Sequence, residues 1–140
     1  MKRWQFGLLF LLAFPGLAQT RSAFTESQLD NYAKAVFTIE QKRDDMLKRA
    51  KQLPAWENAA RQADRQGVNV CDLKPPEPQL QSLCSEMFRY AKDTIERYGF
   101  DSRQFNQITL SQQTDRELQK RLQQKVIELK TSQSQNPPTR

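Results

Sequence analysis

Past residue 18, the residues that stop helices stand in only a few places: Pro54, Gly67, the run Lys74-Pro-Pro-Glu-Pro78, Gly99 and Pro137-Pro138. Proline removes a backbone donor and clashes with the preceding turn, and glycine suits the left-handed residue that closes a helix. The segments between these breakers are rich in Gln, Lys, Arg, Glu, Ala and Leu, which lose little freedom on becoming helical. β-Branched residues are sparse and strict polar–apolar alternation is absent, so no segment reads as a strand. The expected fold class is therefore all-α, a small bundle of four to five helices.

Hydrophobic spacing places those helices. Leu29, Tyr32, Ala33, Val36, Phe37, Glu40, Asp44, Leu47 and Ala50 recur at three- and four-residue intervals, which predicts a first helix over 26–53. Trp56, Ala59, Ala60 and Ala63 mark a shorter helix over 55–66 that stops at Gly67. Leu80, Leu83, Cys84, Met87, Ala91, Ile95 and Tyr98 mark a third, ending at Gly99. A fourth is expected over 102–112. Thr114-Asp-Arg-Glu117 then reads as a capping box opening a fifth helix marked by Leu118, Leu122, Lys125, Val126 and Leu129. Residues 131–140 (TSQSQNPPTR) are polar and proline-broken and are expected to be a disordered tail.

The first 18 residues read as an address. Lys2 and Arg3 precede the apolar run Phe6–Phe14, and Pro15 and Gly16-Leu17-Ala18 follow it. This is the pattern of a secretory signal peptide with small residues at the cleavage site. Nine apolar residues fall well short of the ~20 that span a bilayer. An uncleaved N-terminal anchor is the alternative. Removing 18 of 140 residues leaves 122, enough for one domain, placed at 19–130. The chain has 22 basic and 16 acidic residues and a net charge of +6, or +4 without Lys2 and Arg3. Both signs are interspersed, so solvated helix faces account for the excess. An exported chain with no concentrated basic stretch is also a poor nucleic-acid binder.

Export decides how the cysteines are read. Cys71 and Cys84 are the only two in the chain, and in an oxidising compartment they form the one possible intramolecular disulfide. Closing so short a loop stabilises the fold by about 3 kcal/mol in the chain-entropy model. The chain contains no histidine, so no Ser-His or Cys-His nucleophile and no histidine-held metal can form. It has four glycines, two of them in the leader, too few for a phosphate-cradling loop. No cofactor and no enzymatic activity are expected.

Two nearly identical phrases open the first and fourth helices: Phe24-Thr-Glu-Ser-Gln-Leu29 and Phe100-Asp-Ser-Arg-Gln-Phe105. In each, the second residue can cap the helix and a glutamine three places on can reach back. Thr25 with Gln28, and Asp101 with Gln104, fill these roles. Phe24 with Leu29, and Phe100 with Phe105, occupy the positions of a hydrophobic staple. Helix-start grammar thus explains the repeat without a ligand.

Longer stretches carry a family resemblance. Gln28-Leu-Asp-Asn-Tyr-Ala-Lys-Ala-Val-Phe-Thr-Ile-Glu-Gln-Lys-Arg43 fits the pattern Q-L-x-x-Y-A-x-A-V-x-x-I-E-x-x-R, and Gln104-Phe-Asn-Gln-Ile108 follows with a downstream Q-x-D. Together the blocks resemble the bacterial family of domain of unknown function 4168, which implies an exported helical protein without an assigned activity. The repeated phrase is also similar to the L-T-x-x-Q signature of periplasmic helical chaperones of the Spy and CpxP type. Here Phe leads instead of Leu, and the second copy has Asp101 in place of Thr.

One polar residue stands out. At 100° per residue Glu40 falls in the same sector as Leu29, Ala33, Val36 and Leu47, so it is expected on the core face. A carboxylate there needs a partner, and Arg43 and Arg121 are the candidates. The alternative is a carboxylate held in a cleft for a ligand.

The functional expectation is a non-catalytic binding module in the periplasm, acting on a protein or envelope component. A chaperone-like holdase is the alternative. A third reading is adhesion to anionic surfaces through Lys48, Arg49, Lys51, Arg61 and Arg65. Mass analysis of the protein recovered from cells is expected to show Gln19 as its first residue; a species retaining Met1–Ala18 rules cleavage out.

Overall fold

A computed structural model describes residues 23–136. The leader over 1–18 and the last residues, 137–140, lie outside the described residues. Among the described residues five helices occur: α1 (Glu26–Lys51), α2 (Trp56–Gln66), α3 (Pro78–Arg97), α4 (Ser102–Thr114) and α5 (Arg116–Gln135). A single 3-10 turn (Val70–Asp72) follows α2, and no strand occurs among the described residues.

Helix ends follow local chemistry. At α1, the Gln28 N–H donates to Thr25 Oγ1 (3.1 Å) and the Thr25 N–H donates to Gln28 Oε1 (2.8 Å). At α4, the Gln104 N–H donates to Asp101 Oδ1 (2.7 Å) and the Asp101 N–H to Gln104 Oε1 (3.0 Å). Both are reciprocal boxes that satisfy orphan donors of a first turn. Gly67 (φ +65°) ends α2 and Gly99 (φ +87°) follows α3 in left-handed conformations, where an L side chain would be strained. Pro78 takes the first position of α3, and the Glu77 side chain accepts from the Gln79 N–H.

Two boundaries differ from expectation. The cap of α5 is Asp115, whose Oδ1 accepts from the Leu118 N–H (3.0 Å), and Thr114 is the last residue of α4. With α4 running two residues further than its spacing implied, Asp115 closes one helix and opens the next. Residues 131–135, expected in a disordered tail, instead extend α5. The reason is docking: Gln41 Nε2 donates to Gln133 Oε1 (2.6 Å). The hydroxyls of Thr131, Ser132 and Ser134 also bond back to carbonyls four residues earlier.

At 1.5 Å per residue, the 26 residues of α1 reach roughly 39 Å, and two separate cores form along them. The first gathers Leu29, Tyr32, Phe100, Ile108, Leu118 and Leu122, with Phe24, Val36, Ile95, Tyr98 and Phe105 packed against it. The second gathers Ala50, Ala59, Ala63, Leu73 and Leu80 around Leu53, Trp56, Val70, Leu83 and Cys84. Helix α5 runs parallel to α1: Arg121 pairs with Glu26, Lys125 with Glu26 and Asp30, and Lys130 with Glu40. Helix α3 runs antiparallel to it, with Glu86 held by both Lys42 (3.2 Å) and Arg49 (3.2 Å). Lys42 Nζ also lies 5.2 Å from the Tyr90 ring centroid, within cation–π range.

The first core contains a polar relay. Gln112 Nε2 donates to Tyr32 Oη (3.0 Å), and Tyr32 Oη lies 2.8 Å from Thr109 Oγ1. Thr109 spends its own proton on the Phe105 carbonyl (3.1 Å). A hydroxyl carries one proton, so Tyr32 donates to Thr109. The Tyr32 ring stacks on Phe105 at 4.6 Å, and Phe105 meets Phe100 edge-on at 6.0 Å. Burial, opposed by these hydrogen bonds, holds the Tyr32 hydroxyl above its ordinary pKa. Thr94 is the contrast: it is fully buried, and its Oγ1 has no hydrogen-bond partner among the described residues.

Two conservative substitutions should therefore move stability in opposite directions. Tyr32→Phe is expected to lose about 1 kcal/mol and Thr94→Val to gain about 1 kcal/mol, read by urea denaturation. A destabilised Thr94→Val would show that its hydroxyl has a partner. The Glu86 clamp should also be visible in pH dependence. Hydrogen bonds from Arg49 and then Lys42 hold the Glu86 carboxyl below its ordinary 4.5, so its contribution is present above that value and is lost as pH falls through the lowered one. Glu86→Gln is expected to lower Tm at pH 7 and to converge with the native chain in acid; parallel curves would exclude the clamp.

Candidate functional site

Where the second core meets solvent, α1 and α3 leave a cleft. Arg43, Met46, Leu47 and Ala50 reach it from α1; Leu80, Leu83, Cys84, Met87 and Phe88 reach it from α3. Steps of three and four put each set on one face of its helix. The 3-10 turn supplies Val70, Cys71 and Asp72 after its cap Asn69, and Trp56 at the start of α2 completes the lining. The volume is about 430 Å³. The disulfide holds the turn against α3, with Cys71 and Cys84 Cα atoms 5.6 Å apart. That covalent tie keeps the 3-10 wall in place.

The lining is mostly apolar, with three polar groups. Asn69 Nδ2 donates to Asp72 Oδ2 (3.3 Å), so these two satisfy one another on the turn. Arg43, on α1, makes no ion pair with any described residue. Leu47 is 37% exposed and Phe88 60% exposed. Large apolar side chains gathered on one concave surface are what binding sites use.

A second groove, about 220 Å³, lies between α1 and α5 and is lined by Asp30, Lys34, Lys125, Glu128 and neighbours. Two of its charges pair with one another: Lys125 holds Asp30, and the hydrogen bond from Lys125 keeps the Asp30 carboxyl below its ordinary pKa. Among the described residues, no group of three or more His, Cys, Asp or Glu side chains is arranged to hold a metal.

Glu40 is not on the core face. Its side chain is 44% exposed and lies 3.7 Å from Lys130. Neither expected partner meets it: Arg43 lines the cleft and Arg121 pairs with Glu26. The buried face of α1 passes instead through Leu29, Tyr32, Ala33, Ala35, Ile39, Met46 and Ala50. A single stripe was the wrong template, because α5 covers one side of the N-terminal half and α3 another side along the length. Of the basic residues, Arg49 is held by Glu86, whereas Lys48, Lys51, Arg61 and Arg65 are exposed. The cap and staple residues are absorbed by helix starts and the first core. The site that sequence reasoning missed is the cleft. Phe88 was its one signal, an aromatic beside Met87 but off the apolar stripe of α3.

A family model described as "Domain of unknown function (DUF4168)" matches residues 25–122, from the cap of α1 to the last core leucine of α5. No curated protein and no solved structure matches the chain. With most of its length matched, and all five helices represented within that match, the chain belongs to the DUF4168 family.

Proposed function

We propose that this protein is an exported, non-catalytic binding module of the bacterial periplasm whose working surface is the α1–α3 cleft. The observation that carries the reading is the exposure of Phe88 and Leu47 at a concave apolar site. Keeping such groups in water is unfavourable by ~25 cal/mol per Å², and covering them drives association. The leader-like N-terminus and the disulfide support export, since disulfides persist in oxidising compartments. Among the described residues no helix is long and apolar enough to cross a membrane.

A chaperone-like holdase needs a broad apolar cradle. The other exposed large hydrophobics, Val68, Leu110 and Ile127, stand on different elements, which favours a defined ligand over an unfolded client. Surface adhesion loses one of its charges to the Arg49–Glu86 pair.

A photo-crosslinking side chain at position 88, in the full chain expressed in its bacterial envelope, is expected to yield a discrete adduct whose mass identifies the ligand. The same group at the equally exposed position 110 should not. Equal labelling at both positions, or none at 88, overturns the reading.

A further inference from the structure

The cleft can be read for the chemistry of its occupant, on the premise that it is the working surface. Its size encloses little of a helix. About 430 Å³ is roughly the volume of one helical turn with side chains, taking a cylinder of ~10 Å diameter and 5.4 Å pitch. An extended peptide is also a poor fit. Its backbone donors and acceptors need partners, whereas the polar groups of the lining are Arg43 and the mutually bonded Asn69 and Asp72. An unbranched aliphatic chain makes no such demand. Met46 and Met87 are among the lining residues, and the flexible thioether of Met87 suits a chain without fixed shape. From Arg43 to Ala50 the α1 wall runs ~10 Å, and Trp56 extends the apolar lining.

Charge then fixes the head group. Arg43 is an exposed guanidinium beside this apolar trough, with no carboxylate of the described chain paired to it. A planar guanidinium matches a carboxylate with two parallel hydrogen bonds. Asp72, on the 3-10 turn and not on α1, repels an anion placed beside it and so favours the Arg43 side for a negative head. We propose that the cleft binds a free long-chain carboxylate, with its methylenes on Met46, Leu47, Met87 and Phe88 and its head on Arg43.

Trp56 provides the readout, since the only other tryptophan is Trp4, in the leader. Titrating the purified exported protein with dodecanoate below its micelle concentration is expected to change Trp56 emission saturably. Dodecyltrimethylammonium should bind about tenfold more weakly or worse. Arg43→Gln should weaken dodecanoate about tenfold, the loss of one charge-assisted contact, and leave dodecanol unchanged. Arg103→Gln, exposed on α4, should change neither. Equal affinity for the cationic and anionic chains, or an unaffected Arg43→Gln, overturns the carboxylate assignment while the cleft stands as an aliphatic site. Absence of saturable binding by every chain overturns the proposal outright. In that case a specific adduct at position 88 preserves the binding-module reading, and no adduct removes both.

Discussion

The fold depends on one helix having to bury two different faces. Helix α1 is too long for a single small core to cover, so its ends belong to separate clusters, Leu29 and Tyr32 in one and Ala50 in the other. Two long helices resolve this by lying along it in opposite senses. Helix α5 follows it in parallel through an ion-paired seam, and α3 returns against it through the Glu86 clamp. In the N-terminal half, α4 fills the remaining space through Phe105 and Ile108. In the C-terminal half that place is taken by the shorter α2 and a three-residue turn, which do not fill it. The cleft is the consequence of this unequal filling.

How much of this was legible in the sequence follows from the range of each interaction. Local signals read well. Breakers at Gly67 and Gly99, and the reciprocal bonds of Thr25 with Gln28 and of Asp101 with Gln104, involve neighbours a few residues apart. The disulfide was legible because two cysteines allow one pairing. Signals that depend on a partner helix read poorly. Glu40 shares a projected sector with Leu29, yet which sector is buried depends on where α3 and α5 dock. The polar residues 131–135 look like a tail until α1 offers Gln41 as a partner. Phe88 lies beside the stripe that defines α3, and only the packed fold shows that the cleft runs there.

The proposed binding surface lies where packing is incomplete. The first core is closed by aromatic stacking and by a relay in which each hydroxyl proton of Tyr32 and Thr109 has a destination. Such a region is rigid and specified. The second core sets three alanines among leucines and Trp56, with a covalent tie at its edge. That division gives a scaffold at one end and an adaptable apolar surface at the other, joined by the same two helices.

The corner between α4 and α5 carries a consequence for how such a chain can change length. Asp115 serves as the C-terminal cap of one helix and the N-terminal cap of the next, so the two helices share a joint with no slack. Deleting a residue there would remove both roles together. Adding one would separate them and free α5 to tilt, drawing Leu118 and Leu122 away from Ile108. Residues 75–76, exposed and outside any helix, have no such double duty, although Lys74 before them is held to Gln66 by two hydrogen bonds. Variation in length among related chains should therefore collect beside the cleft, where it would reshape the 3-10 wall and leave the aromatic core untouched.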